Sequence, residues 1–140
     1  MSNATIISNL ETLLEAVEAQ PEALFALCAW KQESECGTIL CVAGLACTMP
    51  EFQAQGMRWN KYDTPSVNGV SVWNDAGDEL FGCNSMKELF HSHASGLLDA
   101  TLGFDTKYDE YGDLISVGCT DKELAIARLK HRIATYKENM

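Results

Sequence analysis

The chain has 140 residues, 46% of them apolar and 21% charged, and ten Lys and Arg stand against twenty Asp and Glu for a formal net charge of −10. That length suits one domain able to bury about two thirds of its unfolded surface, and no stretch approaches the roughly 20 consecutive apolar residues that span a bilayer. The acidic balance argues against direct nucleic-acid binding, which needs clustered Lys and Arg to neutralise phosphates, and points instead to a protein partner with a basic surface.

In chain order, Ser8-Asn9-Leu10-Glu11 has the form of a capping box, and Leu10, Leu13, Leu14 and Val17 follow on one helical face, which predicts a first helix. Pro21 suits the first turn of a second helix, whose stripe is Leu24, Leu27 and Cys28 and which ends near Lys31. Between Cys36 and Cys47 lie three cysteines and two glycines among apolar residues. Thr38 is placed to cap a helix running to Met49, before Pro50. Leu40, Ala43, Gly44 and Cys47 make its small-residue face, and Ile39, Val42, Leu45 and Ala46 are apolar too, so it is expected to be the buried central helix.

From Gly56 to Gly82 turn formers are frequent, and residues 56–82 are expected to be a loop or β insertion, with Asn68-Gly69 as a hairpin turn before a short strand at Val70–Trp73. Ser85-Met86-Lys87-Glu88 is a second capping box, introducing a helix with Met86, Leu89, Phe90, Ala94 and Leu97 on one face. Gly96 is placed to interrupt it, and Gly103 to end a short fifth helix. Tyr108 to Val117 resembles a β-hairpin across Gly112, expected to pair with the Val70 segment. Thr120-Asp121-Lys122-Glu123 is a third capping box, and Ile126, Leu129, Ile133 and Tyr136 line a terminal helix. The predicted fold is mainly α: a single helical domain over residues 1–140 around the central helix, with a small β-hairpin element, and α+β as the alternative.

Six cysteines and three histidines raise the question of zinc, but the Cys-x2–4-Cys spacing of structural sites is missing. No metal and no cofactor is expected. With no secretory signal at the start, the chain is expected to be cytoplasmic, its cysteines reduced and mostly inaccessible. Cys36, ahead of a predicted helix N-terminus, and His91 or His93 are the weak candidates for a Cys–His hydrolase. No phosphate loop, nucleophile elbow or His-Glu-x-x-His helix accompanies them. Glu11, Glu15, Glu18 and Glu22 form a row that an acidic nucleic-acid mimic would present to a basic cleft, although amphipathic helices commonly carry such a face. Trp59, Tyr62 and Trp73 place aromatic side chains among loop formers, a composition suited to a protein-binding surface.

Cys36-Gly37-Thr38-Ile39-Leu40-Cys41-Val42-Ala43-Gly44-Leu45-Ala46, preceded by Trp30, resembles the Cys-Gly-Thr-x-x-Cys-Ile-Ala-Gly-x-Ala pattern of small bacterial and phage proteins of uncharacterised function. Leu102-Gly103-Phe104 and the terminal helix resemble that group's later elements, whereas the stretch from Gly56 to Gly82 departs from its compact pattern. The resemblance implies a phage or mobile-element setting and a host or phage protein as partner, without supplying catalytic residues. A non-enzymatic protein-binding accessory module is the expected function.

Overall fold

The computed structural model describes residues 2–27, 30–35, 37–90 and 96–139. Two long helices at the ends of the chain carry the frame. Helix α1 spans Asn3–Ala19, and its cap is Ser2, whose hydroxyl accepts the Thr5 N–H at 3.3 Å. The Ser8–Glu11 box is therefore not a helix start: Ser8 lies inside α1, where its carbonyl accepts the Thr12 hydroxyl. Helix α6, Asp121–Glu138, begins at the predicted box, with Thr120 Oγ1 accepting the Glu123 N–H and the Glu123 carboxylate accepting the Thr120 N–H. Leu10, Leu13 and Val17 of α1 and Leu129 and Ile133 of α6 join one buried cluster. Lys122 Nζ donates to the carbonyls of Glu18 and Gln20 at 2.8 and 2.9 Å, so the start of α6 holds the end of α1.

Among the described residues between Leu24 and Ser34, the expected second helix is absent. Glu22–Leu24 makes one 3-10 turn, after which Phe25 bridges Leu40 and the Ala26 N–H donates to the Leu40 carbonyl at 3.2 Å. The Leu27 N–H donates to the Asp121 carboxylate at 2.9 Å. Strand β1, Lys31–Ser34, then pairs antiparallel with β2, Gly37–Leu40. Thr38 and Ile39, both β-branched, thus lie in a strand rather than opening a helix. The central helix shortens to α2, Val42–Cys47, buried at all six positions. Cys41 caps it, with Sγ accepting the Gly44 N–H at 3.3 Å.

Pro50–Gln53 is a short helix, α3, and residues 57–71 then form a three-stranded antiparallel sheet of β3 (Met57–Trp59), β4 (Pro65–Val67) and β5 (Val70–Ser71). The β4–β5 turn is Asn68-Gly69 with φ of 51° and 85°, the paired left-handed conformation that Asn-Gly favours in two-residue hairpins. Helix α4 is Asp78–Phe81, followed by a π-helical turn over Met86–Phe90. The Ser85 box does not form, because the Ser85 hydroxyl donates to Asp78 at 2.7 Å and the Glu88 carboxylate is taken by Arg132.

Helix α5, Gly96–Thr101, ends before Gly103 at φ 97°, and β6 (Asp105–Tyr108) pairs with β7 (Leu114–Val117). This last hairpin forms its own sheet and does not pair with the Val70 segment. With 51% helix, 20% strand and three small antiparallel sheets among the described residues, the fold is α+β and not the mainly α domain expected. No described helix is long and apolar enough to cross a membrane.

A buried polar pair joins α5 to α6. Arg128 of α6 donates from Nε and Nη2 to the two Asp99 carboxylate oxygens at 2.8 and 2.7 Å, with the side chains 0% and 1% exposed. The Ser116 hydroxyl donates to the same carboxylate at 2.8 Å. Burial of both ions is tolerable because the bidentate geometry and the extra donor replace lost water. The pair ties α5, β7 and α6 together.

Candidate functional site

The three tryptophans of the chain, separated in sequence, are gathered around α2 and the three-stranded sheet. Gly44 permits the arrangement. A Cβ there would lie 1.9 Å from the Trp30 carbonyl oxygen and 3.2 Å from Trp59 Cη2, so α2 seats both residues only because it carries no side chain at that position. Trp30 meets Trp73 edge to face with centroids 5.4 Å apart, within the range that aromatic quadrupoles favour. Lys31, next in the chain, places its ammonium 5.4 Å from the Trp59 ring centroid and 4.0 Å from Asp63.

Hydrogen bonds hold the loops that present these rings. Asn60 Oδ1 accepts the N–H groups of Tyr62 and Thr64 at 2.8 and 3.1 Å, and the Ser71 hydroxyl accepts the Trp73 N–H at 3.2 Å. Trp73 nevertheless stays 54% exposed and Tyr62 75% exposed, with Lys61 over the Tyr62 ring. Trp59 is half-buried. Val70 is exposed as well, so three of the five exposed large hydrophobic residues described belong to this one segment.

The row of glutamates divides. Glu11, Glu15 and Glu18 are exposed on α1, whereas Glu22 belongs to the following 3-10 turn. Lys130 and Lys137 line the same shallow groove as the first three, and Lys137 Nζ lies 3.6 Å from Glu11. The face is thus of mixed charge, unlike a continuous line of phosphates.

Cys36, His91 and His93 fall outside the described residues, as does Cys28. The helix predicted to open at Thr38 begins only at Val42, after an intervening strand. Cys41 and Cys47 are buried and unbridged, and burial pushes the Cys47 thiol up to about 12, with nearby Cys41 adding to the rise and the Ser66 backbone opposing it. Cys119 is half-buried and its thiol is also raised, first by burial and then by the carboxylates of Glu123, Asp99 and Asp121. Cys83 is exposed. Among the described residues, no three His, Cys, Asp or Glu side chains are grouped to hold a metal ion.

Sequence reasoning missed Trp30 as a member of the aromatic face and missed the two arginines of α6 that are buried, Arg128 and Arg132. Their spacing of four residues beside Leu124 and Leu129 was the available signal, since it places both on the inward side. No family model matches the chain, and no curated protein and no solved structure matches it either.

Proposed function

We propose that the protein is a non-enzymatic binding module that docks a partner protein through the face formed by Trp59, Tyr62 and Trp73, with Trp30 behind it. The observation that carries this is the exposure of Trp73 and Tyr62 on loops fastened by side-chain hydrogen bonds. Rigid, partly exposed aromatics lose little entropy on binding and dominate interface energetics. The motif from Cys36 to Ala46 favours a phage or mobile-element accessory acting on a host protein in the cytoplasm, and the charge of −10 favours a partner with a basic surface.

Affinity capture from a bacterial lysate, with binding then measured on the purified partner, tests the assignment. Trp73→Ala and Tyr62→Ala are expected to weaken the complex at least about 30-fold, the size of a hot-spot loss, while leaving the circular dichroism spectrum unchanged. Loss of binding only on reversing Glu11, Glu15, Glu18 and Glu22 to lysine would support mimicry of nucleic acid instead. Failure to capture a partner, together with a phenotype abolished by Cys36→Ala, would overturn the binding-module assignment in favour of a hydrolase.

A further inference from the structure

A second feature lies apart from the aromatic residues. A cavity of about 520 Å³ opens between α6, the Cys83–Asn84 turn and the π-helical turn, and that volume is typical of small-molecule sites. One face of α6 supplies Arg128, His131, Arg132, Thr135 and Tyr136 to the wall at successive helical spacings. Of the described residues lining the cavity, Arg128 is already paired with Asp99, which leaves Arg132 and His131 beside one carboxylate, Glu88.

Arg132 is the focus of this site. Its side chain is 7% exposed, with Nη1 donating to the Cys83 carbonyl at 2.6 Å and Nη2 to the Glu88 carboxylate. These bonds use two of the five N–H groups of a guanidinium, which leaves donor capacity for an incoming anion. Glu88 is 43% exposed, so water screens it and it offsets the arginine only in part. The turn beside it is shaped around the wall. The Tyr136 hydroxyl accepts the Cys83 N–H at 3.1 Å, and a Cβ on Gly82 would lie 2.1 Å from that hydroxyl, so the tyrosine fits only against a glycine. Leu89, Leu98 and the Tyr136 ring add apolar surface.

We propose that this cavity binds a small organic anion, a carboxylate or phosphate monoester on an apolar body. The anionic group sits at Arg132 and His131, and the body packs on Leu89, Leu98 and Tyr136. Glu88 then competes with the ligand for the same guanidinium. Calorimetric titration of the full chain with benzoate, phenyl phosphate and the neutral benzamide tests this. Saturable binding of at least one anion, with none for benzamide, is expected, and the tighter of the two identifies the anionic group preferred.

His131→Ala, at an exposed position, is expected to weaken binding several-fold without loss of fold, and Arg132→Gln about tenfold or more. Glu88→Gln should tighten it several-fold by removing the competitor, an effect a purely structural role for these residues would not produce. No saturable binding of either anion, equal binding of benzamide, or titrations unchanged in both His131→Ala and Glu88→Gln would overturn the proposal.

Discussion

A methyl group added at Gly44 would meet the Trp30 carbonyl at 1.9 Å, and the obstacle is backbone, which cannot turn aside as a flexible side chain would. Gly44→Ala is therefore expected to destabilise the protein by about 1–3 kcal/mol or more through overpacking, measured as a lower urea midpoint. A wild-type midpoint would refute the close approach. Cys47 makes a different residue-scale prediction. Its thiol is held neutral to about pH 12 in the folded chain, against an ordinary value of 9.0, so above pH 9 the unfolded chain releases a proton that the folded chain keeps. The folded state then binds more protons, and stability must fall as pH rises between about 9 and 12, by up to roughly 1.4 kcal/mol per unit from this group. Urea titrations at pH 8 and 10.5 should show a larger loss for the wild type than for Cys47→Ala, and equal losses would rule out the linkage.

At the scale of elements, the Asp99–Arg128 pair joins α5 to α6 with β7 contributing Ser116. Removing one ion leaves the other buried without its counter-charge, so Asp99→Leu alone should cost about 3–5 kcal/mol. The double replacement Asp99→Leu with Arg128→Met should recover much of that loss, since well-packed apolar side chains often substitute for a buried pair at little cost. Thermal unfolding of the single and double variants decides it. A double variant as unstable as the sum of its singles would mean that the two side chains act independently. The capping box at Thr120 was legible from spacing alone, because both of its hydrogen bonds are made within four residues. The Ser85 sequence has the same form and fails because Asp78, outside the box, takes the serine hydroxyl.

For the whole molecule, the joining of the chain's two ends rests on apolar burial rather than on the opposite charges of α1 and α6. Leu129 is fully buried, and Leu129→Ala should cost about 2–5 kcal/mol. The Lys137–Glu11 pair is more than half exposed on both sides, so Lys137→Ala should change stability by less than about 1 kcal/mol. Denaturant unfolding of the two variants under the same buffer distinguishes these contributions, and a larger loss from the lysine would reverse the order. The aromatic face belongs to this scale too, since Trp30 and Trp73 meet only after α2, β3 and the turn at residues 72–74 have taken their places.

What the sequence determined by itself was local. An apolar stripe marked α1, a stripe with its capping box marked α6, Asn68-Gly69 marked the β4–β5 turn, Gly103 marked the end of α5, and the uninterrupted apolar run marked 42–47 as interior. Each of these follows from hydrogen bonds, sterics or hydrophobicity within a few residues of the signal. The tertiary structure decided the rest. Leu24 and Leu27 lie at helical spacing, yet Leu40 and, 94 residues beyond Leu27, Asp121 hold the backbone of Phe25, Ala26 and Leu27 out of a helix. Arg128 is interior because Asp99, 29 residues away, supplies its counter-charge. A propensity or a pattern cannot anticipate a partner that only the folded chain brings within hydrogen-bond distance.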